Sequence, residues 1–386
     1  MSRALGMILA LLAVTACGST TVVSLRPSPS TSAATSPSAS IAATTTPSEA
    51  PSPSPALSPA PASAYAVLVD LLSSAGSYNA NLVDANARVW ASLRLGQRTP
   101  IVTAGGHAIA LPYVSTTSTT LYALDGNSSV YALRLPDGQQ RVATTLPVAA
   151  GQEAAFSVSP DDSRIAYTVL DFNRTPVTAT LYTDALAGGH RKAIFQSNSD
   201  YVWPIAWRGG LIVLAHAAAV FDEAVATGVG GWDNPYHAIS YHLVDPATAQ
   251  RRALMGACNV SGPLSPAGSA CMGGDVIDWN GKVTSWHTPG ASLNSAASLS
   301  ADGSLIATVI PQEPTHLAAC DRIVQCQTYP AALDPRNWVG WLGGAMVTGS
   351  YLDPNWQPQV VGQADSSTQP VPAEGFVAAI LPANVV

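Results

Sequence analysis

From about residue 65 to residue 386 the sequence predicts an all-β fold, short strands gathered into repeated four-stranded sheets around a ring, and three observations carry that expectation. First, windows such as Thr120-Leu121-Tyr122-Ala123-Leu124 and Arg164-Ile165-Ala166-Tyr167-Thr168-Val169 mix β-branched and aromatic residues. Between such windows stand the hairpin signals Asp125-Gly126, Asp137-Gly138, Asn280-Gly281 and Asp302-Gly303. Second, no helical period of useful length appears in this region. Third, three turn signals occur twice in the same order. Leu135-Pro136-Asp137-Gly138 corresponds to Trp279-Asn280-Gly281. The stretch from Phe156 to Tyr167 matches that from Ala297 to Thr308, and Ile205 to Val213 matches Val339 to Val347. The copies lie about 130–145 residues apart, and three units in that span make about 45 residues each, the length of a four-stranded propeller blade.

Ahead of the strands lie two segments of different character. Residues 1–16 carry Arg3 and then an apolar run, Ala4 to Val14, of about 11 residues, signal-peptide length and too short to span a bilayer. The run closes in Leu12-Ala13-Val14-Thr15-Ala16-Cys17-Gly18. This resembles a bacterial lipoprotein signal peptide with its lipobox: an aliphatic residue, two small residues, then cysteine. The resemblance implies cleavage before Cys17, a diacylglyceryl group on its sulfur, palmitate-type acylation, and a mature protein held outside the cell membrane. Two or three acyl chains anchor durably where one binds reversibly. The other reading is an ordinary secretory signal with a chance cysteine.

Residues 17–64 are expected to hold the lipidated cysteine and a disordered tether. From Arg26 to Ala64 the chain is almost only Ser, Thr, Pro and Ala, with Arg26 and Glu49 as its charges. Such a segment favours extended polyproline II and has too little apolar surface for a core. At about 3.1 Å per residue it could reach roughly 120 Å. A Ser/Thr/Pro tract also suits O-linked sugars. Past Val14 no window of 18 continuous apolar residues follows, so the lipid would be the sole membrane attachment.

Residues 65–386 form the expected propeller. Ser157-Val158-Ser159-Pro160-Asp161-Asp162-Ser163-Arg164-Ile165-Ala166 resembles the turn-and-strand of TolB-like and WD40-like repeat blades. The resemblance implies that this turn joins the outer strand of one blade to the inner strand of the next. The Trp-Asp pair of true WD40 blades occurs only as Trp232-Asp233, in a Gly-rich loop. Blades are expected at about 80–102, 113–147, 154–196, 202–256, 264–290, 296–330 and 337–382, seven in all, with six the alternative count. Phe376 to Leu381 suits a strand that closes the ring. A pair of β-sandwiches is the competing fold.

Charged residues are 11% of the chain, the net charge is −7, and Lys192 and Lys282 are its two lysines. With no basic stripe, nucleic-acid binding is not expected. Of the five cysteines, four remain beside Cys17. Pairing of Cys258 with Cys271 and of Cys320 with Cys326 as disulfide bonds is the simplest of three connectivities. A metal or redox site is the alternative, but no CxxC and no histidine at zinc-ligand spacing accompanies them.

The motifs of catalysis are absent: no Gly-x-Ser-x-Gly elbow, no His-Glu-x-x-His, no P-loop, no calcium loop. The histidines His107, His190, His216, His237, His242, His287 and His316 are scattered. No catalytic, cofactor-binding or metal residue is therefore assigned, and no cofactor is expected. Two long loops gather recognition residues. Phe221 to His242 offers Trp232, Tyr236 and His237; Pro311 to Trp338 offers Arg322, Tyr329 and Arg336. These six are the candidate partner-binding residues. The expected function is a membrane-anchored extracytoplasmic lipoprotein of the cell envelope, its propeller binding or scaffolding an envelope protein or a cell-wall glycan. The alternative is a propeller enzyme of lyase or glycosidase type, with its site at the mouth of the central channel. The sequence leaves the oligomeric state open.

Overall fold

The computed structural model describes residues 64–70, 76–96, 101–102, 108–109, 112, 114–217, 232–233, 238, 240–255, 263–271, 274–286, 297–310, 315–323, 325–329, 338–349 and 357–382. The signal peptide and most of the tether lie outside these residues.

Blade 1 begins with β1 (Tyr65–Val69), β2 (Ser77–Val83) and β3 (Val89–Gly96). Two short strands follow, β4 (Ile101–Val102) and β5 (Ala108–Ile109). Blade 2 is β6 (Val114–Thr116), β7 (Thr120–Asp125), β8 (Ser129–Arg134) and β9 (Gln139–Thr145). Blade 3 is β10 (Gln152–Val158), β11 (Arg164–Asp171), β12 (Thr178–Ala185) and β13 (Lys192–Ser197). Blade 4 opens with β14 (Tyr201–Arg208) and β15 (Leu211–Ala217). The short β16 (Trp232–Asp233) is inserted next, and β17 (Ser240–Val244) and β18 (Arg251–Met255) complete the blade. Blade 5 has β19 (Gly268–Ala270), β20 (Val276–Asp278) and β21 (Val283–Thr284). Blade 6 is β22 (Ala297–Leu299), β23 (Leu305–Ile310), β24 (His316–Asp321) and β25 (Cys326–Tyr329). Blade 7 is β26 (Trp338–Leu342), β27 (Ala345–Gly349), β28 (Gln359–Gly362) and β29 (Thr368–Pro370). The last strand, β30 (Phe376–Leu381), pairs antiparallel with β1.

The result is a seven-bladed β-propeller. The ring closes through blade 1, whose sheet order β3-β2-β1-β30 combines both ends of the domain. β30 lies beside β26 and β6, the inner strands of blades 7 and 2. The Thr116 hydroxyl donates to the Ile380 carbonyl at 2.8 Å across that seam. Burial follows position in the blade. In β10 and β11 all but the first residue and the two end residues, respectively, are buried, as for strands covered on both faces. The outer strands β9 and β13 have no buried residue.

The repeats fall three blades apart. Ser159 and Ser300 head matching hairpins between the inner and second strands of blades 3 and 6. Each hydroxyl donates to the aspartate two residues on, Asp161 or Asp302, at 2.6 Å. Each also accepts the amide of the first residue of the next strand, Arg164 at 2.9 Å and Leu305 at 3.0 Å. The seryl hydroxyls of Ser159 and Ser163 hold the Asp161 carboxyl down at about 2. Trp207 and Trp341 sit on the inner strands of blades 4 and 7, 1% and 5% exposed. Their indole Nε1 groups donate to the carbonyls of Ser157 (3.2 Å) and Ser298 (2.9 Å), equivalent residues in the preceding blades. The third signal also fits. Pro136-Asp137-Gly138 joins the third and fourth strands of blade 2. In blade 5, Ser265 makes a single bridge to Gly268 and Leu264 lines the channel, so 263–265 takes the inner position. Asn280-Gly281 then joins that blade's third and fourth strands.

Three expectations need correction. The first blade starts at Tyr65, not near residue 80, because β1 supplies the strand between β30 and β2. The seventh ends at Pro370, since 376–381 belongs to blade 1. The Ser-Pro-Asp turn connects two strands of one blade, not two blades, because β10 and β11 pair directly on either side of it.

Candidate functional sites

The central channel narrows to a cavity of about 50 Å³ bounded by inner-strand residues of blades 1 to 5, among them Ser115, Thr116, Ser157, Trp207, Leu264 and Ile380. Its lining contains no carboxylate, imidazole or amine. The Ser115 hydroxyl accepts the Val158 amide at 2.9 Å, and Thr116 is engaged with Ile380. The groups here tie inner strands to one another. They offer no acid or base.

A polar cleft of about 490 Å³ lies between blades 1 and 7, lined by Asp70, Asn79, Asn81, Gln357 and Glu374 with Val371, Pro372 and Ala373. The backbone places these groups where β1 leaves and β30 enters the closing blade. Asn79 donates through its amide nitrogen and, at 2.7 Å, through Nδ2 to the Asp70 carboxylate. Ser92 donates to Asn81 Oδ1 at 2.6 Å, and Gln357 Nε2 to the Val371 carbonyl at 3.3 Å. Planar carboxylate and carboxamide groups fixed by neighbours suit the hydroxyls of a polar ligand.

A third cleft, about 600 Å³, opens between blades 3 and 4. One wall is the outer half of blade 3, Leu181, Ile194 and Phe195; the other is the face of blade 4 that carries Leu214, His216, Ser240, His242, Arg251 and Leu254. Cross-strand register builds the polar part: His216 pairs with Ser240 and Leu214 with His242, so the alternation of β17 puts Ser240 and His242 on one face. His216 Nε2 lies 3.5 Å from Asp200, His216 Nδ1 3.3 Å from Ser240 Oγ, and His242 Nε2 3.2 Å from the same oxygen. The two imidazole rings are 5.3 Å apart. Burial, then the neighbouring His216 and Arg251, push the His242 pKa down to about 4. It is therefore a neutral ring at pH 7. Sequence reasoning left these histidines unassigned. The Ser-x-His spacing of β17 was visible, but its pairing with His216 rests on strand register across an insertion.

The fourth feature is the β24–β25 hairpin. Cys320 and Cys326 are cross-strand partners joined by a disulfide, with Cα atoms 4.1 Å apart. Inside the loop the Asp321 carboxylate accepts the amides of Ile323 (3.0 Å) and Gln325 (2.9 Å). Arg322 and Ile323 face solvent, and Ile323, at 74%, is the most exposed large apolar side chain among the described residues.

Of the sequence-predicted residues, Arg322 is therefore exposed on a braced hairpin. Tyr329 is 1% exposed, packed between blades 6 and 7 with its hydroxyl donating to the Gln363 carbonyl at 3.3 Å. Trp232 stands on β16, which pairs in parallel with β5; its side chain lies outside the description. Tyr236, His237, Arg336, Cys17 and Cys258 also lie outside the described residues. Cys271 is disulfide-bonded, to a cysteine outside them. Among the described residues no group of three or more His, Cys, Asp or Glu side chains is placed to hold a metal ion.

No protein-family model matches the chain, and no curated protein matches it either. Solved structures do. TolB from Acinetobacter baumannii aligns at 15% identity and a TM-score of 0.37, over 83% of this chain and 65% of that one, so this chain spans less than two thirds of its length. An oligogalacturonate lyase in complex with manganese aligns at 12% and 0.32, over 76% and 70%. The β-propeller domain of the trilobed protease from Pyrococcus furiosus, described as having an open velcro topology, aligns at 12% and 0.40, over 68% and 84%. These are likenesses of fold. The propeller assignment itself stands on the seven sheets and on the pairing of β30 with β1.

Proposed function

We propose that this protein is an extracytoplasmic lipoprotein, anchored to the cell membrane through Cys17 and a tether over 17–64, whose propeller binds an envelope protein. Two features support the compartment: the lipobox-like Leu12 to Cys17 stretch, and disulfide bonding at Cys320, Cys326 and Cys271, which fits an oxidising environment. The observation that carries the binding role is the braced hairpin. A lone exposed isoleucine needs no explanation. Here, however, a disulfide and the Asp321 turn hold Ile323 and Arg322 in one presentation, which lowers the ordering cost of binding. Arginine is also enriched among the residues that carry binding energy at protein interfaces.

The experiment is a pair. Fatty-acid analogue labelling should be lost in Cys17→Ala; unchanged labelling of that variant removes the anchor from the proposal. A photo-crosslinker at position 323 should capture a discrete envelope protein that the same group at Val142, exposed on blade 2, does not, and Arg322→Glu should reduce the yield several-fold. Equal capture from both positions would sink the binding surface. A second reading, a cell-wall glycan, is favoured by the polar cleft of Asp70, Asn79, Asn81, Gln357 and Glu374. Retention on purified cell wall, lost in Asn79→Ala and kept in Arg322→Glu, would select it.

A further inference from the structure

The blade 3–4 cleft is the largest of the three cavities described above, and its volume of about 600 Å³ lies within the range of about 300–1,000 Å³ usual for small-ligand sites. Two features set it apart from ordinary imperfect packing. Phe195 of β13 and Leu254 of β18 face it from opposite walls while 38% and 47% exposed. And at one end the apolar lining gives way to an ordered polar chain.

The hydrogen-bond directions in that chain follow from one anchor. His216 Nε2 lies 3.5 Å from the Asp200 carboxylate, which can only accept, so the tautomer with its proton on Nε2 suits this contact. His216 Nδ1 is then an acceptor and takes the Ser240 hydroxyl proton. Ser240 Oγ in turn accepts from His242 Nε2–H. The His242 ring is left with an unprotonated Nδ1, a position able to take up a proton. Arg251 lies close enough to oppose that proton, and it has no side-chain hydrogen bond or ion pair among the described residues.

We propose that this cleft binds a long-chain fatty acid, its alkyl chain between Leu181, Ile194, Phe195, Leu214, Val244 and Leu254, and its carboxylate at His242 and Arg251. Charge complementarity selects the head group. The charged and titratable groups facing the head position are Arg251, Asp200, His216 and His242. A monoanion is matched by Arg251 and by one proton taken up on His242. A dianionic phosphate would leave a second charge facing Asp200. Binding of the anion raises the proton affinity of His242, so acid binding strengthens as pH falls from neutrality toward the ring's pKa of about 4 in the empty cleft.

The test uses the full chain carrying Cys17→Ala, so that no acyl group of its own competes. Energy transfer from the protein's tryptophans to cis-parinaric acid, a fluorescent fatty acid, reads occupancy, with its methyl ester as the neutral control. The acid should bind at one site and at least about tenfold more tightly than the ester. Arg251→Gln, an exposed position that cannot disturb the core, and His242→Leu should each cut acid affinity about tenfold and leave the ester unchanged. Leu254→Asp should abolish both. The proposal is overturned by equal affinity for acid and ester, by no binding of either, by an alkyl phosphate that outcompetes the acid, or by an undiminished signal in Leu254→Asp. These outcomes are independent of Arg322 and Ile323, which stand on blade 6.

Discussion

The seam between blades 3 and 4 and the seam between blades 6 and 7 are built from the same parts and end differently. Both are tied by an inner-strand tryptophan that donates to the serine carbonyl of the preceding blade. Register carries the equivalence outward. Thr168 pairs with Leu181, which pairs with Phe195; Val309 pairs with Leu317, which pairs with Tyr329. Phe195 and Tyr329 are thus the same position, yet one is 38% exposed and the other 1%. On the facing blades, Leu214 and His242 occupy the positions of Thr348 and Gln359. The 6–7 seam is filled by Tyr329 packing with Leu317, Trp341, Met346 and Val361. The 3–4 seam is shut near the axis and open at the rim. The inner strands therefore hold the ring, while the outer strands are free to become sites.

The largest effect expected follows from the inner half. Trp207→Ala and Trp341→Ala should each cost about 3–5 kcal/mol, the usual penalty for truncating a buried large ring. Trp207 should lie at the upper end, because the Arg164 guanidinium also stacks over it at 5.0 Å. Chemical denaturation measures both. A loss under about 1 kcal/mol for either would break the equivalence of the two seams.

The outer half should separate them. Tyr329→Ala removes a buried ring and a hydrogen bond and should cost about 3 kcal/mol or more. Phe195→Ala should stay within about 1 kcal/mol, because much of its surface is already in water. Comparable losses would mean that the 3–4 cleft is closed in solution.

How much of this was legible in the sequence follows from how local each signal is. The hairpins at Ser159 and Ser300 and the Gly-Gly turns after Trp207 and Trp341 are set by a few adjacent residues, so the three-blade offset could be read directly. That Phe376 to Leu381 suits a closing strand was also readable, but its partner was not, because pairing with β1 spans the whole domain. The difference between Phe195 and Tyr329 was invisible. Both are aromatic residues on outer strands, and their fate depends on what the next blade presents. Tyr329 read as a surface anchor because a loop was expected where β25 runs. Asp200, His216, Ser240 and His242 are about 40 residues apart at their extremes, and only strand pairing brings them together.

The smallest effect is the sharpest test of what opened the 3–4 seam. His242 stands where blade 7 has Gln359, and its folded pKa of about 4 lies below the value near 6.5 for an unfolded chain. The unfolded state therefore binds the proton more readily. Stability from this group is complete above pH 6.5 and is lost as pH falls toward 4, since the native ring resists charging beside His216 and Arg251. Asp200, near His216, acts in the opposite direction, and the ring is only half buried. The expected loss is on the order of 1 kcal/mol after solvent screening. His242→Gln, which gives this seam the residue of the other, should flatten the stability profile between pH 6.5 and 4. It should leave untouched the steeper fall below pH 4, where Asp161, depressed to about 2, takes up its proton. Denaturation midpoints across pH 3.5 to 7.5 for both proteins measure this. A His242→Gln profile parallel to that of the parent would show that the imidazole is not held neutral, and the 3–4 seam would then differ from the 6–7 seam in shape alone.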